Sequence, residues 1–364
     1  MQFYFMKKYH LKTVAIICFC VAICAALSCS REKSKFKAPN INIITRENVQ
    51  AVAMADEDHI WISGNHGMIF HSKDGGESWA EQVSGVESLL CGLSFIDEKT
   101  GWACGNKGTI LNTKDGGVSW NRQSSGLKTH ILDITFLDKD HGWAVGAFGA
   151  VLHTADGGQH WIKAIEEQDI VYNNLYFVDR QNGWVVGERG SILHTADGGK
   201  SWEKQLPESF KRADFEESID NPVPDLFGVC FTDQNTGWIS GLFSTIIHTS
   251  DGGKTWNELI SSGEDALYSI FVKGSRGWAV GSRGGYFMSR DGGLSWDSMD
   301  DAIKSKVWFG RVLFSSSENG WIAGGNGTVL HSSDGGETWD FYSGLSYEFE
   351  GFELPEIFEK KVFE

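Results

Sequence analysis

Seven aspartates recur in one local setting along the 364-residue chain: Asp74, Asp115, Asp156, Asp197, Asp251, Asp291 and Asp334. Each lies in the pattern [HNM]-[ST]-x-Asp-Gly-Gly-x-x-Trp, and in five copies the first residue is a histidine: His71, His153, His194, His248 or His331. Carboxylates and imidazoles are the groups of acid–base catalysis and of metal ligation. Their spacing argues against both uses. The aspartates are separated by 41, 41, 41, 54, 40 and 43 residues, so each copy belongs to a separate structural unit. One active site does not need seven equivalent acids, and the alternating acids of a calcium loop are absent. The box is instead a turn. Gly-Gly supplies positive φ for a sharp reversal, Asp accepts backbone N–H bonds across it, and the preceding Ser or Thr braces the same loop. The histidines are expected at strand ends, one per unit, with no metal and no cofactor.

The elements that position these turns are short strands. A second signature, usually Gly-Trp-x-x-Gly, precedes each box, with tryptophans Trp102, Trp143, Trp184, Trp238, Trp278 and Trp321, and Trp61 in a less regular first copy. Fourteen of the fifteen tryptophans fall in the repeat; Trp308 stands apart. The third copy shows the pattern well. Residues 131–136 read as strand A, 143–145 as B, 150–153 as C and 161–163 as D, with no helical period between them. A four-stranded repeat of about 40–45 residues has the size of a propeller blade. The expected fold is all-β: a seven-bladed β-propeller with four antiparallel strands per blade, spanning 41–346.

Residues 1–28 read as a lipoprotein-type signal peptide. Lys7, Lys8 and Lys12 precede an apolar run from Val14 to Leu27, too short to span a bilayer comfortably. Ala26-Leu27-Ser28-Cys29 resembles a lipoprotein cleavage site, which makes Cys29 the expected lipidation point and 29–40 a tether. The expected location is extracytoplasmic, on the periplasmic or cell-surface side of a membrane. Cys91, Cys104 and Cys230, an odd number, read as small apolar core residues rather than a disulfide framework. A net charge of −16 disfavours nucleic acid as a partner.

With the repeats stacked, few residues are left over for function. B–C and D–A loops share one face, and the boxes occupy the other. The B–C tips include Lys107, Phe148, Arg189, Phe243 and Arg283, a basic-aromatic set suited to binding a partner. The long spacing between Asp197 and Asp251 places an insert at 203–225, holding three of the five prolines. Ser209 to Ser218 is expected to form a short acidic helix there, with Phe210 and Phe215 as further contacts. Residues 347–364 read as a closing strand or tail; residues 41–45 could instead complete the last blade.

The box resembles the BNR or Asp-box repeat of sialidases and sortilin-type receptors. With Gly-Trp-Ala-Val-Gly at 142–146 and 277–281, roughly residues 49–344 more specifically resemble the photosystem II stability/assembly factor family of plants and cyanobacteria. That resemblance implies a seven-bladed, non-catalytic scaffold that holds a protein or membrane-protein complex, lipid-anchored in the cyanobacterial relatives; the chain is expected to be a monomer. It also implies a basic, arginine-rich patch, from which this acidic chain departs. The competing expectations are a glycan-binding module and a sialidase-like glycoside hydrolase. Sialidase chemistry needs an arginine trio, a tyrosine nucleophile with a glutamate partner, and an acid. The chain has ten arginines, and Arg189 and Arg283 fall on hairpin tips. The sialidase-type Phe-Arg-Ile-Pro segment is absent; Arg46 sits in Ile44-Thr45-Arg46-Glu47-Asn48.

Overall fold

A computed structural model describes residues 44–210, 223–260, 263–299 and 302–343. Twenty-eight strands, β1 (Val49–Met54) to β28 (Asp340–Ser343), form seven four-stranded antiparallel sheets, each built from four consecutive strands. The third blade is β9 (Ile131–Phe136), β10 (Gly142–Gly146), β11 (Ala150–Thr154) and β12 (Ile162–Lys163), each end within one residue of the expected bounds. The all-β, seven-bladed expectation holds. Among the described residues no helix is long and apolar enough to cross a membrane.

Strand A lies innermost. Its second residue is skipped by the pairing register in every blade, a bulge that turns the third residue toward the axis. Strand B is buried along its whole length, which explains why Gly-Trp-x-x-Gly shows no alternation. Strand D is mostly exposed.

Blades are joined by aromatic sandwiches. Trp143 of blade 3 stacks on Phe177 of blade 4 at 3.8 Å, and the box tryptophan Trp202 of blade 4 meets the same ring edge-on at 6.0 Å. The arrangement repeats with Trp61, Phe95 and Trp120, and with Trp102, Phe136 and Trp161. The deeper ring is therefore the Gly-Trp tryptophan, and the box tryptophan caps the joint. The indole N–H of Trp143 also donates to Gly198 O in the next blade's box, at 2.9 Å.

The last joint keeps the two tryptophans, with Met54 in place of the ring between them. Trp321 of blade 7 packs with Val49, Val52, Ile60 and Ile62 of blade 1, and meets Trp79 edge-on at 5.9 Å. Among the described residues, no blade borrows a strand from the other end of the chain. Ile44 N–H donates to Ser343 Oγ at 3.2 Å, so the chain's entry touches β28 without extending its sheet. The expected closing segment 347–364 lies outside the described residues.

Candidate functional site

Each box is a self-contained knot. In blade 1, Ser72 Oγ donates to Asp74 Oδ1 at 2.8 Å and accepts from Gly76 N–H at 2.7 Å, while Ser78 N–H donates to Asp74 Oδ1 at 2.9 Å. In blade 3, His160 replaces the second hydroxyl and reaches Asp156 Oδ2 at 2.7 Å. These bonds hold the carboxyls below the usual range, at about 2 for Asp156, Asp197 and Asp291. The first box glycine donates its N–H to the A–B turn, as from Gly75 to Asp58 O at 3.0 Å, which puts boxes and A–B turns on one face. These aspartates are occupied in the turn, as their repetition implies.

Four of the five box histidines meet the strand-B tryptophans of their own blades, His71 and His194 stacked, His248 and His331 tilted by 35° and 32°. Trp61 and His71 stack at 4.0 Å, Trp184 and His194 at 4.9 Å, and Trp321 and His331 approach at 4.5 Å. Burial lowers the pKa of all five, and that of His71 falls to about 4. Among the described residues no group of three or more His, Cys, Asp or Glu is placed to hold a metal. A pH dependence follows. The unfolded chain binds more protons than the fold below the ordinary histidine value, so these groups cost stability as pH falls from about 6.5 toward 4. The box aspartates lose theirs only below about 4. The melting temperature should therefore drop between pH 7 and pH 5. His71→Met, the residue type that blade 6 carries as Met288, should remove up to about 2 kcal/mol of the loss at pH 5. Parallel pH profiles for the two proteins would show that His71 is not the source.

On the opposite face, the seven B–C turns all place their second residue in left-handed backbone: His66, Lys107, Phe148, Arg189, Phe243, Arg283 and Asn326, with φ from 54° to 60°. The five candidate tips thus fall on five different blades, 2 to 6. Phe148 and Phe243 are 56% and 38% exposed. The arginines are partnered. Arg189 approaches Asp169 at 3.9 Å, and Arg283 pairs with Asp265 at 2.8 Å and Glu264 at 3.4 Å. The charge of the two arginine tips is therefore offset locally.

Phe210 requires a correction. It is 7% exposed and packs with Trp184, Val186, Leu226 and Val229, in space that the missing side chain of Gly190 leaves open. It is a core residue, not a partner contact. A single 3-10 turn, Glu208–Phe210, stands where the start of an acidic helix was expected. Phe215, the rest of that helix and Cys29 lie outside the described residues. Cys104 and Cys230 are buried and Cys91 is half-buried; all three are free thiols. Burial pushes Cys91 and Cys230 up to about 12.

The sequence reading missed the axis. Asp133 of blade 3 and Arg311 of blade 7 meet at 2.8 Å across the ring, with Asp133 3% exposed. Its carboxylate also accepts from the Asn174 side chain, whose Oδ1 accepts Val229 N–H at 3.0 Å. Burial raises the Asp133 pKa, and the Arg311 charge opposes that rise. The pair borders a 260 Å³ cavity whose wall includes Ser94, Thr135, Tyr176 and Ser269. A signal was available. The third residue of strand A runs Ala51, Gly92, Asp133, Asn174, Gly228, Ser269, Arg311, with charges in two copies alone.

Known proteins share this architecture. Residues 20–112, 119–211, 213–300 and 261–347 match the family model described as photosynthesis system II assembly factor YCF48. The photosystem II assembly lipoprotein Ycf48 of Synechococcus sp. (strain CC9902) is 38% identical over 72 residues, 19% of this chain and 22% of that protein. The match thus spans about a fifth of the curated relative's length. The solved structure of YCF48 bound to D1 peptide is 23% identical, with a TM-score of 0.65 over 80% of this chain and 93% of that one. YCF48 from Cyanidioschyzon merolae gives 20% and 0.64 over 80% and 97%. A GH74 xyloglucanase from Xanthomonas campestris gives 12% and 0.64 over 83% and 55%. At such identities these structures speak for the fold.

Proposed function

The chain belongs to the photosynthesis system II assembly factor YCF48 family, and on that premise we propose that it is a non-catalytic propeller scaffold that binds a protein or membrane-protein complex. In this reading Cys29 carries the lipid, and the propeller works outside the cytoplasm, held at a membrane. The Ala26-Leu27-Ser28-Cys29 motif supports the anchor, as does the lipoprotein among its relatives. The YCF48 solved with D1 peptide supports a polypeptide as the occupant.

The observation that carries the reading is the face of the B–C turns, where two phenylalanines stand exposed at left-handed positions. Catalysis finds less support. Hydrolysis of a glycosidic bond generally takes two carboxyls flanking the substrate. Among the described residues the axial cavity is lined by one, Asp133, already engaged by Arg311.

Affinity purification from the native membrane tests the proposal. The full-length protein should retain a reproducible protein partner. Phe148→Asn plus Phe243→Asn should release it, and Val118→Asn plus Leu294→Asn on the box face should not. Equal capture by all three baits would place the binding surface elsewhere. Glycan binding without any protein partner would favour a lectin.

A further inference from the structure

At two B–C turns, conformation and exposure both run against what an apolar ring prefers. Phe148 and Phe243 hold φ of 59° and 60°, where a bulky residue is an outlier, and both rings face water. Blade 7 makes the same turn with Asn326, a residue that tolerates this backbone. The fold therefore does not require phenylalanine at either tip.

Each of these turns is tied to an acidic D–A loop. Gln168 N–H donates to Phe148 O at 3.3 Å and Gly149 N–H to Ile170 O at 2.8 Å. Likewise Gly263 N–H donates to Phe243 O at 3.0 Å and Ser244 N–H to Asp265 O at 2.6 Å. The first loop carries Glu166, Glu167 and Asp169, and the second Glu264 and Asp265. Asp169 and Glu264 present 96% and 88% of their side chains to solvent. Lys163, Arg189 and Arg283 offset three of these five acids, at 2.8–3.9 Å, so the two loops together keep a net negative charge. Blade 2 differs, since Lys107 sits beside a loop carrying Lys128 and His130.

We propose that blades 3 to 6 of this face capture a cationic amphipathic segment of the partner protein, its apolar side chains on Phe148 and Phe243 and its lysines or arginines against Asp169 and Glu264. The inference rests on the reading of this face as protein-binding, and it names the partner's charge. It also reverses the polarity that arginine tips would suggest. An acidic peptide would meet charge of its own sign, in a chain of net charge −16.

Fluorescence anisotropy on the full-length protein tests it, with two labelled peptides as probes. One is an amphipathic peptide of lysine, leucine and phenylalanine; the other replaces every lysine by glutamate. The lysine peptide should bind at least about tenfold more tightly, and added salt should weaken it. Phe148→Asn plus Phe243→Asn leaves net charge unchanged and should cost at least about tenfold in affinity, with melting temperature held or raised. Asp169→Asn plus Glu264→Gln should reduce both affinity and salt dependence. Binding that ignores the phenylalanine pair is adsorption to a negative protein and overturns the proposal. Tighter binding of the glutamate peptide overturns it too. If the membrane partner is still released by the phenylalanine pair, only the charge assignment has failed; if it is not, the protein-binding face itself is wrong.

Discussion

Arg311→Met is expected to destabilise the propeller by about 3–5 kcal/mol, the usual cost of stranding one member of a buried ion pair. Asp133 is 3% exposed and among the described residues pairs with no cation but Arg311, so the variant either buries a lone carboxylate or protonates it. The second outcome carries its own signature. Removing the opposing charge raises the Asp133 pKa further, so its penalty grows as pH rises above the ordinary carboxylate value and shrinks on acidification. The gap in urea midpoint between wild type and Arg311→Met should accordingly be smaller at pH 5 than at pH 8. Asp133→Asn plus Arg311→Met should recover most of the loss, because replacing both charges removes the desolvation cost along with the attraction. The residue type is already accommodated nearby, as Asn174 occupies the same strand position in blade 4. A single variant as stable as wild type would show that the pair contributes nothing across the axis; a double variant as weak as the single would show that the loss does not come from stranding the carboxylate.

This pair also marks where the sequence stops being legible. Blade count, strand order and box turns follow from repetition, because every copy states the same pattern and errors in one are corrected by six others. Asp133 and Arg311 are 178 residues apart and mean nothing singly. Only stacking the copies shows them at one position, beside Ala51, Gly92 and Ser269. Phe210 failed for another reason. In a proline-bounded insert it resembles an exposed contact, and its burial depends on the absent side chain of Gly190, twenty residues earlier. The ion pairs of the arginine tips were hidden for a third reason. A hairpin tip predicts exposure correctly, but Asp169, Glu264 and Asp265 come from loops whose approach is set by the tertiary fold.

Phe177→Ala should cost about 3–5 kcal/mol, since it removes the middle ring of an inter-blade sandwich and leaves a cavity between Trp143 and Trp202. The same ring dictates Gly183. Phe177 and Gly183 are cross-strand partners, and a Cβ at Gly183 would lie within the van der Waals envelope of the Phe177 ring. Gly183→Ala alone should therefore cost about 1–3 kcal/mol through overpacking. In the Phe177→Ala background that clash is gone, and the added methyl fills space the ring vacated. The double variant should be more stable than the sum of the two losses predicts, with a coupling of roughly 0.5–3 kcal/mol. The molecule itself contains the compensated version. In blade 1 the phenylalanine position is Met54 and its partner is Ile60, so where the ring is absent the glycine is absent too. Blade 6 tests the logic from the other side: Val272 replaces the ring, yet Gly277 remains, because Trp296 occupies the space that a Cβ would need. A double-mutant cycle on thermal or urea unfolding separates the cases. Strictly additive losses would mean that Gly183 is required by its backbone, and that the ring beside it is incidental.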